Sequence, residues 1–352
     1  MTLQTLRKKI TRKSVCRIGM ELDGTGVVCA QVRRTDQGWQ VVRSRVFTAF
    51  GADDSIPAAA VLLQASAGMT SSEVAAVLPM EACDLRVSEL PGQCTNDELR
   101  EMLKGELAAA GLHDLTFDFW RIPEGMVQQA GAQGICSLGI SQPLVTRAIE
   151  RIRSCGHAVS GIDGIPTAAT RALRMMMESG RLSPGNTPRS NTLAVHIGWK
   201  KTTLVLVSND IPALARVPQI PGLEGWVRDA QVHTSFTATD LLRITQGLNA
   251  QLPIRVPSSV SGANSSATNV WAAGLCEEIL RSISFARRPG LRLIPGHIVL
   301  MGPGAIIPGL QQALSEQLNI ATCLWSLPQP NGLEASAELA IASALSAWEI
   351  PL

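Results

Sequence analysis

Near the middle of the chain, the run TLAVHIGWKKTTLVLV (192–207) gathers His196, Lys200, Lys201, Thr202 and Thr203 around a single glycine, Gly198. Two lysines and two threonines beside a glycine turn offer charge, hydroxyls and unobstructed backbone N–H groups, the set that holds phosphate oxygens. A turn of the same kind lies near the N-terminus, where Glu21, Asp23, Gly24, Thr25 and Gly26 are grouped in IGMELDGTGVV. Further on, Gly302 and Gly304 close the apolar run of IVLMGPGAIIPGL and lead into a helix, so that a base or ribose can approach the backbone. Taken singly each signal is weak, because Asp-Gly is most often just a turn and Gly-x-Gly before a helix is mostly packing. Their chemistry depends on elements that would bring them into one cleft.

Val15–Leu22 and Val27–Val32 flank the first glycine turn as a hairpin, and Trp39–Phe47 extends it to three strands. A helix near Ala58–Ala67 and a strand at Ser72–Leu78 come next. The segment from Leu85 to Ile140 reads as a small strand, helix, strand, strand unit, its helix opened by Thr95 with Glu98 three residues on, a capping box. Leu144, Ala148, Ile149 and Ile152 then form one helical stripe. The Gly, Pro, Ser and Asn of SGRLSPGNTPRSN mark a linker, after which strand-turn-strand returns, with Glu21 and His196 at corresponding places. The chain thus looks duplicated. Pro257–Asn269, rich in serine, reads as a loop; a helix at Val270–Arg287, a strand at His297–Met301, a helix at Pro308–Leu318 and a small-residue helix around Ala335–Ala347 complete the pattern.

Expected domains are a basic segment at 1–14, a first lobe at 15–184 with a small α+β subdomain inserted at about 84–140, and a second lobe at 185–352 with an insertion at about 222–270. At 352 residues there is enough chain for two lobes with sizeable cores. Mean hydropathy is +0.15, yet no run of 18 apolar residues suggests a spanning helix. Eight cysteines and five histidines show no metal-ligand spacing. Arg17, Glu21 and Asp23 interrupt the nearest approach to an export signal, so the cytoplasm is the expected compartment. A net charge of +2 argues against direct nucleic-acid binding. Six basic residues (Arg7, Lys8, Lys9, Arg12, Lys13, Arg17) form either a solvated tail or, with Leu3, Leu6 and Ile10 at helical spacing, an amphipathic helix in peripheral contact with acidic lipid.

Five segments, in order, resemble the signature of the actin-like ATPase superfamily: IGMELDGTGVV and TLAVHIGWKKTTLVLV as the two phosphate segments, IDGIPTAATRAL and EASAELAIASALSA as the two connecting helices, and IVLMGPGAIIPGL as the adenosine segment. The fold this implies is α/β, with two duplicated lobes, each a mixed five-stranded sheet with helices, plus inserted subdomains. Within the superfamily, LRVSELPGQCTNDELREMLKGELAAAG, FDFWRI, ISQPLVTRAIERIRSCGHAVSGIDGIPTAATRAL and EEILRSISFARR are similar to PilM-like proteins of type IV pilus assembly, including HofM-type members. GspL-like type II secretion components are the alternative. The resemblance implies an adaptor at the inner face of the inner membrane, serving pilus assembly or DNA uptake. Such an adaptor binds the N-terminal cytoplasmic peptide of a PilN-like membrane protein in a groove between the first-lobe core and its inserted subdomain, with scope for self-association.

The same resemblance exposes departures. The family's Asp-aliphatic-Gly becomes Glu21-Leu22-Asp23 in the first phosphate segment and His196-Ile197-Gly198 in the second, where the aspartate normally holds the water shell of Mg²⁺. Trp199 stands where a small residue is usual, and Pro303 removes a backbone donor from the adenosine glycines. Two readings remain open. In an active ATPase or sugar kinase, Lys200 or Lys201 meets the phosphates of ATP, Thr202 and Thr203 add hydroxyls, and Glu21 with Asp163 holds the metal. In a scaffold with a degenerate site there is no cofactor and His196 is a packed strand-end residue. Three departures against Mg²⁺–phosphate chemistry point to the scaffold, a protein that is not an enzyme.

Overall fold

The computed structural model describes residues 16–23, 26–35, 38–48, 56–122, 132–180, 182, 191–233, 261–287, 293–307, 309–326 and 340–342. The basic N-terminal segment, Gly24 and Thr25, and most of the linker and of the final helix lie outside them.

Alternating apolar residues set the first sheet. In β1 (Cys16–Asp23), Ile18, Met20 and Leu22 point into one core, while Glu21 and Asp23 take the opposite face. β2 (Gly26–Thr35) and β3 (Gly38–Thr48) add antiparallel on one side; β4 (Glu73–Leu78) and β8 (Ala158–Gly164) add parallel on the other, giving the order β3-β2-β1-β4-β8. The second sheet repeats it as β11-β10-β9-β12-β13, from β9 (Asn191–Ile197), β10 (Thr202–Ser208), β11 (Ile211–Arg216), β12 (Pro295–Met301) and β13 (Ala321–Leu324). Both the order and the antiparallel, antiparallel, parallel, parallel sequence of pairings match. The duplication seen in the sequence is therefore a duplication of topology.

Helix α1 (Ala59–Ser66) and α3 (Gln142–Ser154) cover the outer face of the first sheet. On the second lobe, α5 (Leu223–His233), α6 (Ser261–Ala286) and α7 (Leu310–Leu318) do the same. Between the sheets runs α4 (Ile165–Glu178), whose Ala168, Ala169 and Ala172 are fully buried. Methyl-sized side chains let this helix touch Val77 of the first sheet and Val205 of the second within one core.

The three-stranded sheet β5-β7-β6 is the inserted subdomain, built from β5 (Cys83–Pro91), β6 (Leu115–Arg121) and β7 (Ala132–Ser141). Its helix α2 (Asn96–Ala109) begins in the expected capping box: the Thr95 hydroxyl accepts from the Glu98 backbone N–H, and the Thr95 N–H donates to the Glu98 carboxylate at 2.8 Å. One local expectation is corrected. Ser261–Asn269, read from composition as loop, forms the start of α6. Serine and asparagine are weak helix formers, but the Trp226 Nε1–H donates to Thr268 Oγ1 at 3.2 Å inside the lobe, and this tertiary contact outweighs propensity.

Candidate functional site: a cleft latched by His196 and Glu21

Because the two lobes share a topology, β1 and β9 end at equivalent glycine turns. Glu21 faces Val28 across the first hairpin, and His196 faces Thr203 across the second. The two side chains meet between the lobes: His196 Nε2 stands 2.9 Å from Glu21 Oε1, with both residues buried. Nitrogen and oxygen are at hydrogen-bond distance without hydrogen-bond alignment, so the contact is an electrostatic one, an ion pair when the imidazole is protonated. The other Glu21 oxygen, Oε2, is buried without a hydrogen-bond partner.

A second bridge lies beside it. The Trp199 backbone N–H donates to Asp23 Oδ2 at 3.1 Å. Burial raises the pKa of Asp23 above the ordinary carboxylate range, and the charge of Glu21 adds to the rise; the bond from Trp199 and the proximity of His196 oppose it.

Two donors of the second turn are engaged within their own lobe. Gly198 N–H donates to Lys201 O at 2.9 Å, and Thr202 Oγ1 donates to Pro221 O at 3.3 Å. The backbone entering α5 closes on the turn from behind: the N–H groups of Gly222, Leu223 and Glu224 donate to the carbonyls of Lys200, Gly198 and Trp199. The helix N-terminus therefore meets peptide oxygens of its own lobe. Thr202 and Thr203 are buried, while Lys200 is half-buried and Lys201 exposed. Gly222 was not among the residues expected to matter. A Cβ there would come within 2.3 Å of Gly198 O, so only glycine seats the turn on the helix; the Pro-Gly pair ahead of LEGWV was its only trace in the sequence.

Gly302 and Gly304 pack against the same hairpin. Gly302 has φ +81°, and a Cβ on it would lie 2.7 Å from Ile197 O and 2.9 Å from the His196 ring. Pro303 begins a short 3₁₀ turn, Pro303–Ile306. Glu21, Asp23 and Gly26, which flank the first turn, are thus brought together with Gly198 and Trp199 of the second and with Pro303, while Gly302 packs on His196 and Ile197. Asp163 is turned elsewhere. Glu21, Val77 and Asp163 are in register across three adjacent strands, which spaces the two carboxylates' backbones by about 10 Å. Asp163 accepts from the Gly164 N–H and the Thr167 hydroxyl and pairs with Arg171. Its charge, after burial, pushes the neighbouring Cys83 thiol up to about 12.

The fit of a magnesium nucleotide can be judged from these contacts. The cavity left among Glu21, Asp23, Phe47, Trp199 and Pro303 measures about 30 Å³, room for about two or three water molecules. A carboxylate takes the Trp199 N–H, and His196 stands against Glu21. Among the described residues no three His, Cys, Asp or Glu side chains converge to hold a metal ion. Among the described residues, those on the two sides of the cleft thus contact one another, through His196 and Glu21 and through Trp199 and Asp23.

A larger space lies on the other side of β8. Between the inserted subdomain and the first-lobe core runs a groove of about 1020 Å³, lined by α2, β6, β7, α3, β8 and α4. Among the described residues β6 and β8 are edge strands of their sheets, so each offers backbone N–H and C=O groups along one side. On one wall the Arg100 guanidinium lies 5.5 Å and 5.2 Å from the ring centres of Phe117 and Phe119.

No family model matches the sequence, and no match is found among curated proteins. Solved structures do match. A chain of the structure described as the PilM-PilN type IV pilus biogenesis complex aligns with a TM-score of 0.73 and 17% identity, over 95% of this chain and 99% of that one. The ethanolamine utilization protein EutJ from Carboxydothermus hydrogenoformans aligns at 0.49 and 12%, covering 97% and 96%. The cytoplasmic domain of EpsL, an inner-membrane component of the type II secretion system of Vibrio cholerae, aligns at 0.45 and 11%, covering 94% and 95%. Among the described residues no helix is long and apolar enough to cross a membrane. With two lobes of one topology closing on paired glycine turns, and a PilM-PilN chain matched along nearly its whole length, this protein has the actin-like ATPase fold.

Proposed function

We propose that the chain is a scaffold that binds the N-terminal cytoplasmic peptide of a PilN-like membrane protein, at the cytoplasmic face of the inner membrane, and that it does not hydrolyse ATP. The contrast between the two spaces carries the reading: the cavity bounded by Glu21, Asp23, Trp199 and Pro303 keeps about 30 Å³, whereas the groove beside the inserted subdomain offers about 1020 Å³. A groove with free strand edges on both sides suits an extended segment, because main-chain hydrogen bonds supply affinity and side-chain pockets supply selectivity. Glu21, Asp23, His196 and the glycines Gly26, Gly198, Gly302 and Gly304 then hold the lobes together, a structural use of the positions that bind nucleotide in active relatives.

Calorimetric titration tests both halves. A synthetic peptide of the first cytoplasmic residues of a PilN-like protein from the same genome should bind with micromolar or tighter affinity, and a scrambled peptide should not. ATP with Mg²⁺ should give no saturable heat. Micromolar ATP binding abolished by Gly302→Trp would overturn the closed-cleft half, and absence of peptide binding would overturn the adaptor half.

A further inference from the structure

The groove has a wall that belongs to neither the subdomain nor the first-lobe core. The hairpin joining β10 to β11 turns through Asn209 and Asp210, with φ of 50° and 60°. Two consecutive left-handed residues make a tight, stiff reversal that fixes the direction of the strand leaving it. Ile211, the first residue of that strand, lines the groove and packs against the cluster of Trp120, Ile122, Cys136 and Leu138 in the inserted subdomain. The next residue is tied down as well: the Cys136 thiol, fully buried in β7, donates to Pro212 O at 3.3 Å. On the far side of the turn Asp210 stands 3.9 Å from Arg174 of α4.

We infer that the groove is a composite site in which docking of the second lobe's β10–β11 turn on the inserted subdomain and occupancy by an extended peptide stabilise one another. The inference rests on the peptide reading proposed for this groove. Its physical basis is linkage: a ligand that contacts a wall present only in the docked state binds that state better, and must therefore favour docking to the same degree. Cys136 reports on docking directly. While Pro212 covers it the thiol has no exposed surface, and burial holds its pKa above the ordinary range, so alkylation requires the contact to open.

The test combines peptide affinity with the rate of Cys136 alkylation, resolved by mass spectrometry, in the full chain. The probe is a fluorescein-labelled peptide of the N-terminal cytoplasmic residues of a PilN-like protein from the same genome. Ile211→Asp should weaken binding by about tenfold and speed Cys136 labelling by a similar factor, and Ile211→Val should restore both. In the unsubstituted protein the peptide should slow Cys136 labelling, which a mere contact between peptide and Ile211 would leave unmoved. Circular dichroism checks that Ile211→Asp is folded; should it unfold, Asp210→Ala serves in its place. If the peptide binds but Cys136 labelling ignores both peptide and substitution, the composite site is wrong while the adaptor reading stands. If the unsubstituted protein binds no peptide, the adaptor reading fails and the coupling fails with it.

Discussion

His196 Nε2 and Glu21 Oε1 stand 2.9 Å apart across the boundary between two lobes of the same topology, each at the end of an equivalent strand. Where a metal ion and phosphates would need an opening, the chain places two of its own side chains in contact. Both are buried, so removing one partner leaves the other facing a site from which water is largely excluded. Glu21→Ala or His196→Ala should each destabilise by about 2–4 kcal/mol, and the double variant by clearly less than their sum, with a coupling of about 1–3 kcal/mol. His196→Asp should be worse than His196→Ala, because a carboxylate would then face Glu21. Urea unfolding of the unsubstituted protein and the four variants measures this, and additive single effects would refute the latch.

Asp23 carries a pH signature. Its folded-state pKa is raised, chiefly by burial, so deprotonation costs more in the folded than in the unfolded chain. That cost is absent below the unfolded value of about 4 and grows as pH rises through the folded value. Asp23→Asn removes the charge and keeps an oxygen for the Trp199 N–H. It should be stabilising at pH 7, by about 1 kcal/mol or less given the side chain's partial exposure, and neutral near pH 3.5. Thermal melts across that range give the comparison; a gain that grew toward acid would have the wrong sign.

Gly302 should tolerate no side chain. A positive φ already disfavours other residues, and a Cβ would meet the Ile197 carbonyl at 2.7 Å. Gly302→Ala is expected to lower stability by about 2 kcal/mol or more. On the scaffold reading proposed above the loss appears in melting temperature alone, and a parallel loss of ATP binding would contradict that reading.

A buried hydrogen bond from Trp226 ties the start of α6 to α5. Thr268→Val keeps the shape of the side chain but leaves the Trp226 Nε1–H without its acceptor, at a cost of about 1–3 kcal/mol. Hydrogen exchange should then quicken in Ser261–Asn269 while Leu275–Ile283, packed in the lobe core, stays protected. Equal protection in both halves would show that something other than this bond orders the segment.

Much of the fold was legible in the chain itself. Alternation in GMELDGTGVV and TLAVHIGWKKTTLVLV specifies strands and tight turns through local sterics, and Thr95 with Glu98 specifies a helix start within four residues. Order along the chain was enough to suggest duplication. What these signals share is range: each is decided by neighbours a few positions apart. At Ser261–Asn269 local composition misled, and there a distant residue intervenes, as Trp226 does at Thr268.

The partners of the site belong to the tertiary structure. From the sequence, His196 was an imidazole where a carboxylate was expected, and Lys200, Lys201, Thr202 and Thr203 were equally ready to meet phosphate or to pack. Folding settled their surroundings: Thr202 bonds Pro221, Trp199 N–H bonds Asp23, and His196 finds Glu21 from 175 positions away. Ile211 carried no functional mark at all, and became a wall of the groove only because a two-residue turn carries it onto another subdomain. Strand and turn are fixed by short-range sterics that the sequence states outright. Which polar group satisfies which is settled by packing, because a buried donor or carboxylate takes whatever partner the closed lobes bring within about 3 Å.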